Sequence, residues 1–258
     1  MTSNQKIVKG LAITLAVVII IGIVNAAVWS LCSISFIFGN HTYDGATEIY
    51  NINDVDNIEI NIGASNLKIE ESDTFKIEIP NYVTYDVKNN KLTINEKSRF
   101  FLKSSNIKVY LPTEKQFDSV KINGGAGNIE IVNLTAKNVD FELGAGKVTV
   151  GNLEANLSFA LDGGAGDFKL NSGYLNNADI DMGVGNFIIR ATLNGKADID
   201  MGVGNLDIDL VDEIDNYTFD IDKGIGNVTI DGKNVSGRLG SGNTLIEIDG
   251  GVGNIKIY

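Results

Sequence analysis

A Gly-x-Gly pair recurs through the second half of this chain: Gly125/Gly127, Gly144/Gly146, Gly164/Gly166, Gly183/Gly185, Gly202/Gly204, Gly224/Gly226 and Gly251/Gly253. The spacing is nearly constant from Gly125 to Gly202 and lengthens only in the last two intervals, Gly202 to Gly224 and Gly224 to Gly251. A period that regular is the signature of stacked coils, each unable to bury its apolar face alone. Between corners the side chains alternate with period two, as a pleated strand requires. Val139, Phe141 and Leu143 share one face, and Val148 and Val150 share the face of the next strand. The pattern predicts an all-β chain: a parallel β-solenoid (β-helix) with about 19 to 20 residues per regular coil, preceded by one transmembrane helix. The residue between the paired glycines is Ala126, Ala145, Ala165, Val184, Val203, Ile225 or Val252, apolar every time, which reads as a side chain turned into the core at a corner.

The helix is expected near the N-terminus. Residues 7–38 are almost unbroken apolar sequence, and Leu11 to Leu31 is long enough to cross a bilayer. Lys6 and Lys9 precede this span, whereas Asp44, Glu48, Asp54, Asp56 and Glu59 follow it, so the positive-inside rule places the N-terminus in the cytoplasm and the rest outside. A cleavable signal peptide has an apolar core of about 7 to 15 residues, shorter than this run. Lipidation of Cys32 would want a small residue where Leu31 stands. The expected organisation is a cytoplasmic arm (1–10), an anchor (11–38), a linker (39–46), opening coils and cap (47–117) and the repeat solenoid (118–258).

Within 47–117, Asn89 and Asn90 separate two alternating runs as a hairpin turn would, and Gly63-Ala64-Ser65-Asn66 is a worn copy of the corner. The two long intervals place insertions near Val211–Asn216 and Lys233–Asn243, both read as loops bulging from a coil junction.

Charge excludes one partner class. Positions 1–40 hold two lysines and no acid, so the net charge of −12 leaves −14 for the remainder, a poor match to nucleic acid. Phosphate-binding glycine loops open a helix, and here every Gly-x-Gly is followed by period-two sequence such as NLDIDL. The calcium β-roll repeat wants an acid where Phe168 and Ile129 stand. His41 is the single histidine and Cys32 the single cysteine, so nucleophilic and zinc chemistry lack their parts, and no catalytic residue is assigned. A paired-carboxylate site stays open on composition, although these acids are spread along the repeat. Arg99-Phe100-Phe101-Leu102-Lys103 is the one basic and aromatic cluster, either an apolar strand packed on the cap or a lipid or partner contact.

Two files of residues carry a pattern. After each corner the polar residue is usually Asn (Asn128, Asn186, Asn205, Asn227, Asn254, with Lys147 and Asp167 interrupting), spaced to hydrogen-bond from coil to coil. Before every corner but the first, where Asn123 stands, come acids: Glu142, Asp162, Asp181, Asp200, Asp222 and Asp249 in one file, with Asp179, Asp198, Asp220 and Glu247 in its neighbour. They alternate with buried-type residues and so face outward. Read blandly this is a solvated acidic face; read sharply it is a ladder for calcium or for a cationic peptide or polymer.

The run from Ile107 to Ile131 (IKVYLPTEKQFDSVKINGGAGNIEI), the repeats after it and the ending LIEIDGGVGNIKIY resemble the bacterial β-strand-repeat family of candidate adhesins, a domain of unknown function, over about residues 55–258. That resemblance implies a β-helical extracytoplasmic domain behind a membrane anchor, linked to adhesion or envelope stress, with no catalytic residues to carry over. The functional expectation is a cell-surface binding module; the alternatives are an envelope-stress modulator acting through a membrane partner and a cation-binding structural protein.

Overall fold

Alternation becomes strand through nearly all of the chain that the computed structural model describes, residues 46–96 and 105–258. The first half holds β1 (Thr47–Asn51), β2 (Asn57–Ile62), β3 (Asn66–Ser72), β4 (Lys76–Pro80), β5 (Val83–Lys88), β6 (Lys91–Glu96), β7 (Asn106–Pro112) and β8 (Phe117–Gly124). Two long winding strands follow, β9 (Ile129–Leu170) and β10 (Gly173–Leu210). A 3-10 turn at Ile214–Asn216 leads to β11 (Tyr217–Asp222), β12 (Val228–Ile230), β13 (Lys233–Asn234), β14 (Gly237–Gly240), β15 (Thr244–Asp249) and β16 (Val252–Ile257). The chain is all-β.

Successive repeats pair in parallel and in register. Ile180 lies on Leu161, Asp181 on Asp162 and Val184 on Ala165, and Ile122 lies on Phe141, each residue matched to its equivalent one period away. At both ends the stacking order departs from chain order. Residues 57–72 sit between the layer of β6 and β7 and the layer of β8 and early β9. At the other end β15 and β16 slide between late β10 and the layer of β11 and β12. All coils share one apolar pattern, so the period alone does not fix which coil neighbours which.

Inward positions build one core file after another. Phe141 meets Phe159 edge-on at 5.9 Å, Phe168 meets Phe187 at 5.8 Å, and all four are 3% exposed or less. Aromatic pairs at such spacing contribute about 0.5–1.5 kcal/mol beyond the area they bury.

The corners differ from expectation. Ala126, Ala145, Ala165 and Ile225 are exposed, the last at 56%, and Val184, Val203 and Val252 are only half-buried. It is the glycines that face the neighbouring coil. A Cβ on Gly204 would fall 1.6 Å from the Gly185 carbonyl oxygen and one on Gly253 1.5 Å from that of Gly204, and both residues sit at positive φ (+146° and +142°). Corner backbones are thus stacked too closely for side chains between them, which leaves the intervening residue pointing outward. Their N–H groups donate to the coil before: Ala126 to Gly63 O at 2.6 Å, Ala145 to Gly125 O at 2.6 Å. On the corner Gly63-Ala64-Ser65 that role passes to Glu96, whose Oε2 accepts from the three amides at 2.6, 3.0 and 3.2 Å while Oε1 accepts from the buried Ser65 hydroxyl at 2.8 Å.

Gly226 departs from the corner pattern in a second way. It is exposed, lies in a bend outside the strands, and does not stack on Gly204, the equivalent glycine before it in sequence. It stacks on Gly253, whose carbonyl oxygen would be 1.6 Å from an added Cβ. The physical reason is the insertion of β15 and β16: they take the place next to β10, which pushes the Gly224–Gly226 corner to the outside of the stack.

Both ends are closed by antiparallel strands: β4 on β7, β5 on β6 and β1 on β4 at one, β14 on β11 and β13 on β12 at the other. Lys233–Asn243, expected as a bulging loop, therefore supplies cap strands, because the outermost parallel layer would otherwise expose its edge. Asn89 and Asn90 make the expected turn, with φ of 50° and 61°. The anchor, His41, Cys32 and the Arg99–Lys103 cluster fall outside the described residues; among those described, no helix is long and apolar enough to cross a membrane.

Candidate binding surface

The stacking aligns two outward files just before the corners. The first runs Asn95, Asn61, Asn123, Glu142 through paired registers, then Asp162 on Asp181, Asp200 on Asp249 and Asp249 on Asp222. The second contains Lys121 on Asp140, then Asp179, Asp198 on Glu247 and Glu247 on Asp220. Each acid is exposed or half-exposed, as the alternation requires.

The second file is partly neutralised. Lys121 Nζ reaches Asp140 at 2.8 Å and Glu142 at 2.5 Å, Lys196 holds Asp198 at 2.8 Å and also Glu247, and Arg238 approaches Asp220 at 4.0 Å. Hydrogen bonds to Asp140 and then Glu142 hold the Lys121 ammonium well above its usual range, and bonds to Asp198 and then Glu247 do the same for Lys196. In the first file, Asp162, Asp181, Asp200, Asp249 and Asp222 have no ion pair among the described residues. Burial, then the charges of Asp181, Asp198 and Asp179, pushes the Asp200 carboxyl above the usual carboxylate range. Burial, then Asp200 and Asp222, does so at Asp249. A file of this kind attracts cations along its length without enclosing one. Among the described residues no three acid, histidine or cysteine side chains converge as a metal centre would, so the ladder offers a calcium ion only open, edge-on carboxylates.

The file after the corners is the hydrogen-bonded ladder its spacing suggested. Asn128 N donates to Asn66 Oδ1 at 3.0 Å, Lys147 N to Asn128 Oδ1 at 3.1 Å and Asn186 N to Asp167 Oδ1 at 3.1 Å. Asn205 Nδ2 donates to Asn186 Oδ1 at 2.9 Å, Asn254 N to Asn205 Oδ1 and Asn227 N to Asn254 Oδ1, both at 3.3 Å. Lys147 fits as a donor because that bond uses its backbone N–H, and Asp167 fits as an acceptor through its carboxylate, but a lysine offers no side-chain oxygen to the coil beyond it, so the file is interrupted there.

Sequence reasoning missed a concavity. Residues 192–194 of β10 and the segments 212–217 and 241–244, in three adjacent layers, surround an open cavity of about 390 Å³. Its signal was present in the two long intervals, Gly202 to Gly224 and Gly224 to Gly251, which mark where insertions interrupt the repeat.

Among solved structures, that of a candidate adhesin from Bacteroides fragilis is 18% identical, covers 83% of this chain and 96% of its own, and gives a TM-score of 0.42. A candidate cell adhesion protein from Clostridium sporogenes is 18% identical over 82% of this chain and 98% of its own, with a TM-score of 0.35. A candidate adhesin from Parabacteroides distasonis is 15% identical over 83% and 96%, with a TM-score of 0.39. No curated protein matches the chain. Residues 55–239, more than half of the sequence, match the Toastrack DUF4097 family model, and the chain belongs to that family.

Proposed function

We propose that this protein is a membrane-anchored β-solenoid displayed outside the cell membrane, whose acidic face binds a cationic partner at the cell surface, and that it performs no chemistry itself. The observation that supports this most is the file Asp162, Asp181, Asp200, Asp249, Asp222, which runs through neighbouring layers without an ion-paired cation among the described residues. Neighbouring carboxylates about 4.8 Å apart repel, by a few tenths of a kcal/mol each once solvent and salt screen them. Asparagine would keep the face soluble without that repulsion, and the chain uses it at the same position in earlier coils. A peptide or polymer bearing spaced positive charges relieves the repulsion. The anchor over residues 11–38 and the N-terminal lysines support display on the outer side.

The test uses the full chain in lipid nanodiscs and a fluorescent oligolysine, with oligoglutamate as control. Oligolysine should bind with an affinity that falls steeply with salt, and changing the five aspartates to asparagine should abolish it. Equal binding by the variant rejects the acidic face as the site. Protease added to intact protoplasts should digest the domain; protection until the membrane is broken rejects the outward topology.

A further inference from the structure

We propose that the cavity between the two insertions binds a neutral polyhydroxylated ligand, a saccharide by chemical class. This goes beyond the acidic face and stands on different residues. The cavity, of about 390 Å³, is within the range of about 300–1,000 Å³ usual for small-molecule sites. Its wall is mostly polar: Asn194, Asp212, Asp215, Asn216, Ser241 and Asn243 line it, with Leu193 and Tyr217 as its apolar part.

The kind of polar group selects the ligand. Among the described residues no lysine, arginine or histidine lines the cavity, so phosphate or carboxylate would find two aspartates and no counter-charge. Leu193 and the Tyr217 ring are too little apolar surface for a lipid chain. Amides and hydroxyls both donate and accept, and a carboxylate accepts from two adjacent O–H groups at once. A vicinal diol uses all three kinds of group. The side chains of Asp215, Asn216, Ser241 and Asn243 make no hydrogen bond to another described residue. Tyr217 is 1% exposed. Burial, before any other cause, pushes its hydroxyl above the usual phenol range, so the oxygen keeps a proton that needs an acceptor. The one side-chain acceptor for that proton, Asp212 Oδ2, is 3.5 Å away, beyond the roughly 3.0 Å limit of a good O–H···O bond. A ligand hydroxyl at the base of the cavity would serve this buried donor better.

The site is also built in advance. Gly242 packs so closely that a Cβ there would fall 2.0 Å from the Asn216 carbonyl carbon. Its N–H donates to Tyr217 O at 3.3 Å, and its carbonyl accepts from the Thr218 hydroxyl at 2.8 Å. The two insertions are therefore pinned to each other and to a rigid stack, which lowers the ordering cost of binding.

The experiment is saturation-transfer NMR on the full chain in nanodiscs with glucose, galactose, mannose and N-acetylglucosamine, each alone, and with calcium chloride and inorganic phosphate as competing probes. At least one sugar should bind, and Asp215→Ala and Asn243→Ala should each weaken it about tenfold with unchanged melting temperature. Asp181→Asn with Asp200→Asn should leave it intact, which separates this site from the acidic face. Binding of calcium or phosphate in place of every sugar, sugar binding that the cavity variants do not weaken, or no sugar binding by a folded protein would each overturn the proposal.

Discussion

Asn95, Asn61 and Asn123 occupy the same outward position in their coils that Asp162, Asp181, Asp200, Asp249 and Asp222 occupy in theirs. In the amide half each side chain has a use for the next: Asn61 Nδ2 donates to Asn95 Oδ1 at 2.8 Å, and Asn123 Nδ2 donates to Asn61 Oδ1 at 2.5 Å. In the acid half there are only acceptors, and the carboxyls of Asp200 and Asp249 are pushed upward. The backbone register is common to both halves. What differs is therefore chosen at the side chain, and the acid half gives up local hydrogen bonding that the same scaffold supports elsewhere.

The largest effect should come from breaking what the halves share. Gly127 and Gly204 each stack on a carbonyl, at 1.9 Å from Ser65 O and 1.6 Å from Gly185 O for an added Cβ. Gly127→Ala and Gly204→Ala should each destabilise by more than about 3 kcal/mol, because the backbone cannot move without its neighbours. Gly226→Ala meets a carbonyl just as close but on the exposed outer corner, which can shift away, so its loss should fall below that at Gly204. Gly232→Ala, where nothing lies within 4 Å of the new Cβ, should cost about 1 kcal/mol for its positive φ alone. Chemical denaturation measures all four. Equal losses at Gly204 and Gly232 would remove close stacking as the reason for the corner glycines.

Next in size is a swap within the column. Asn61→Asp removes donors to Asn95 and to Glu59 Oε1, the latter at 3.0 Å, and sets a carboxylate beside Glu59. It should cost about 1–3 kcal/mol, whereas Asp181→Asn should stabilise by a few tenths, as exposed charges do. If both changes destabilise alike, the column is not divided as described.

Much of this was legible in the sequence. The glycine period, the hairpin at Asn89-Asn90, the Asn128-to-Asn254 file and the outward acids all follow from local chemistry repeated at a fixed interval. Three things were not. Identical apolar patterns cannot encode that β15 and β16 insert beside β10 ahead of β11, which is also why the place of Gly226 at the outer corner was hidden. An apolar tip such as Val203 suggests a core position until the carbonyl beneath its flanking glycines is seen. The cavity at Asp215 and Asn243 joins segments that become neighbours only because β15 inserts between β10 and β11.

Acid should separate the halves in opposite directions. Hydrogen bonds from Lys91 and then Asn61 hold the Glu59 carboxyl below the usual range, so its contribution is present above the unfolded value and is lost as pH falls through the folded one. Asp200 and Asp249 are raised, so the native state binds their protons more readily than the unfolded chain does, and stability falls as pH rises through their folded values. Between neutral pH and the range just above the ordinary aspartate value, hydrogen-exchange protection, corrected for the intrinsic rate, should rise around residues 198–202 and 247–251. At still lower pH it should fall around residues 57–62. The changes should stay within about 1 kcal/mol because these groups are solvent-screened. Parallel changes in both segments would mean the two halves share one titration.

The smallest effect gives the finest comparison, because it places the same new charge beside each half. Ala126 is exposed and Val203 half-buried, both at corner tips just beyond Asn123 and Asp200. A carboxylate at position 126 stands between the Glu96-bound corner of one neighbouring coil and Glu142, which Lys121 pairs, in the other, whereas one at 203 joins the field of Asp181 and Asp200, which have no ion pair among the described residues. Since both tips point outward, Val203→Asp should not leave a charge stranded in the core, and its cost should stay below about 1 kcal/mol, or roughly 2–4 °C in melting temperature. Val203→Asn controls for the lost apolar contact. The excess of Val203→Asp over Val203→Asn should shrink in high salt, where charges about a coil apart are screened, and at low salt it should exceed that of Ala126→Asp over Ala126→Asn, because Lys121 partly neutralises the acids near position 126. A salt-independent excess at Val203 would point to buried charge and restore the inward corner; equal excesses at both tips would show that the acid half exerts no field of its own there.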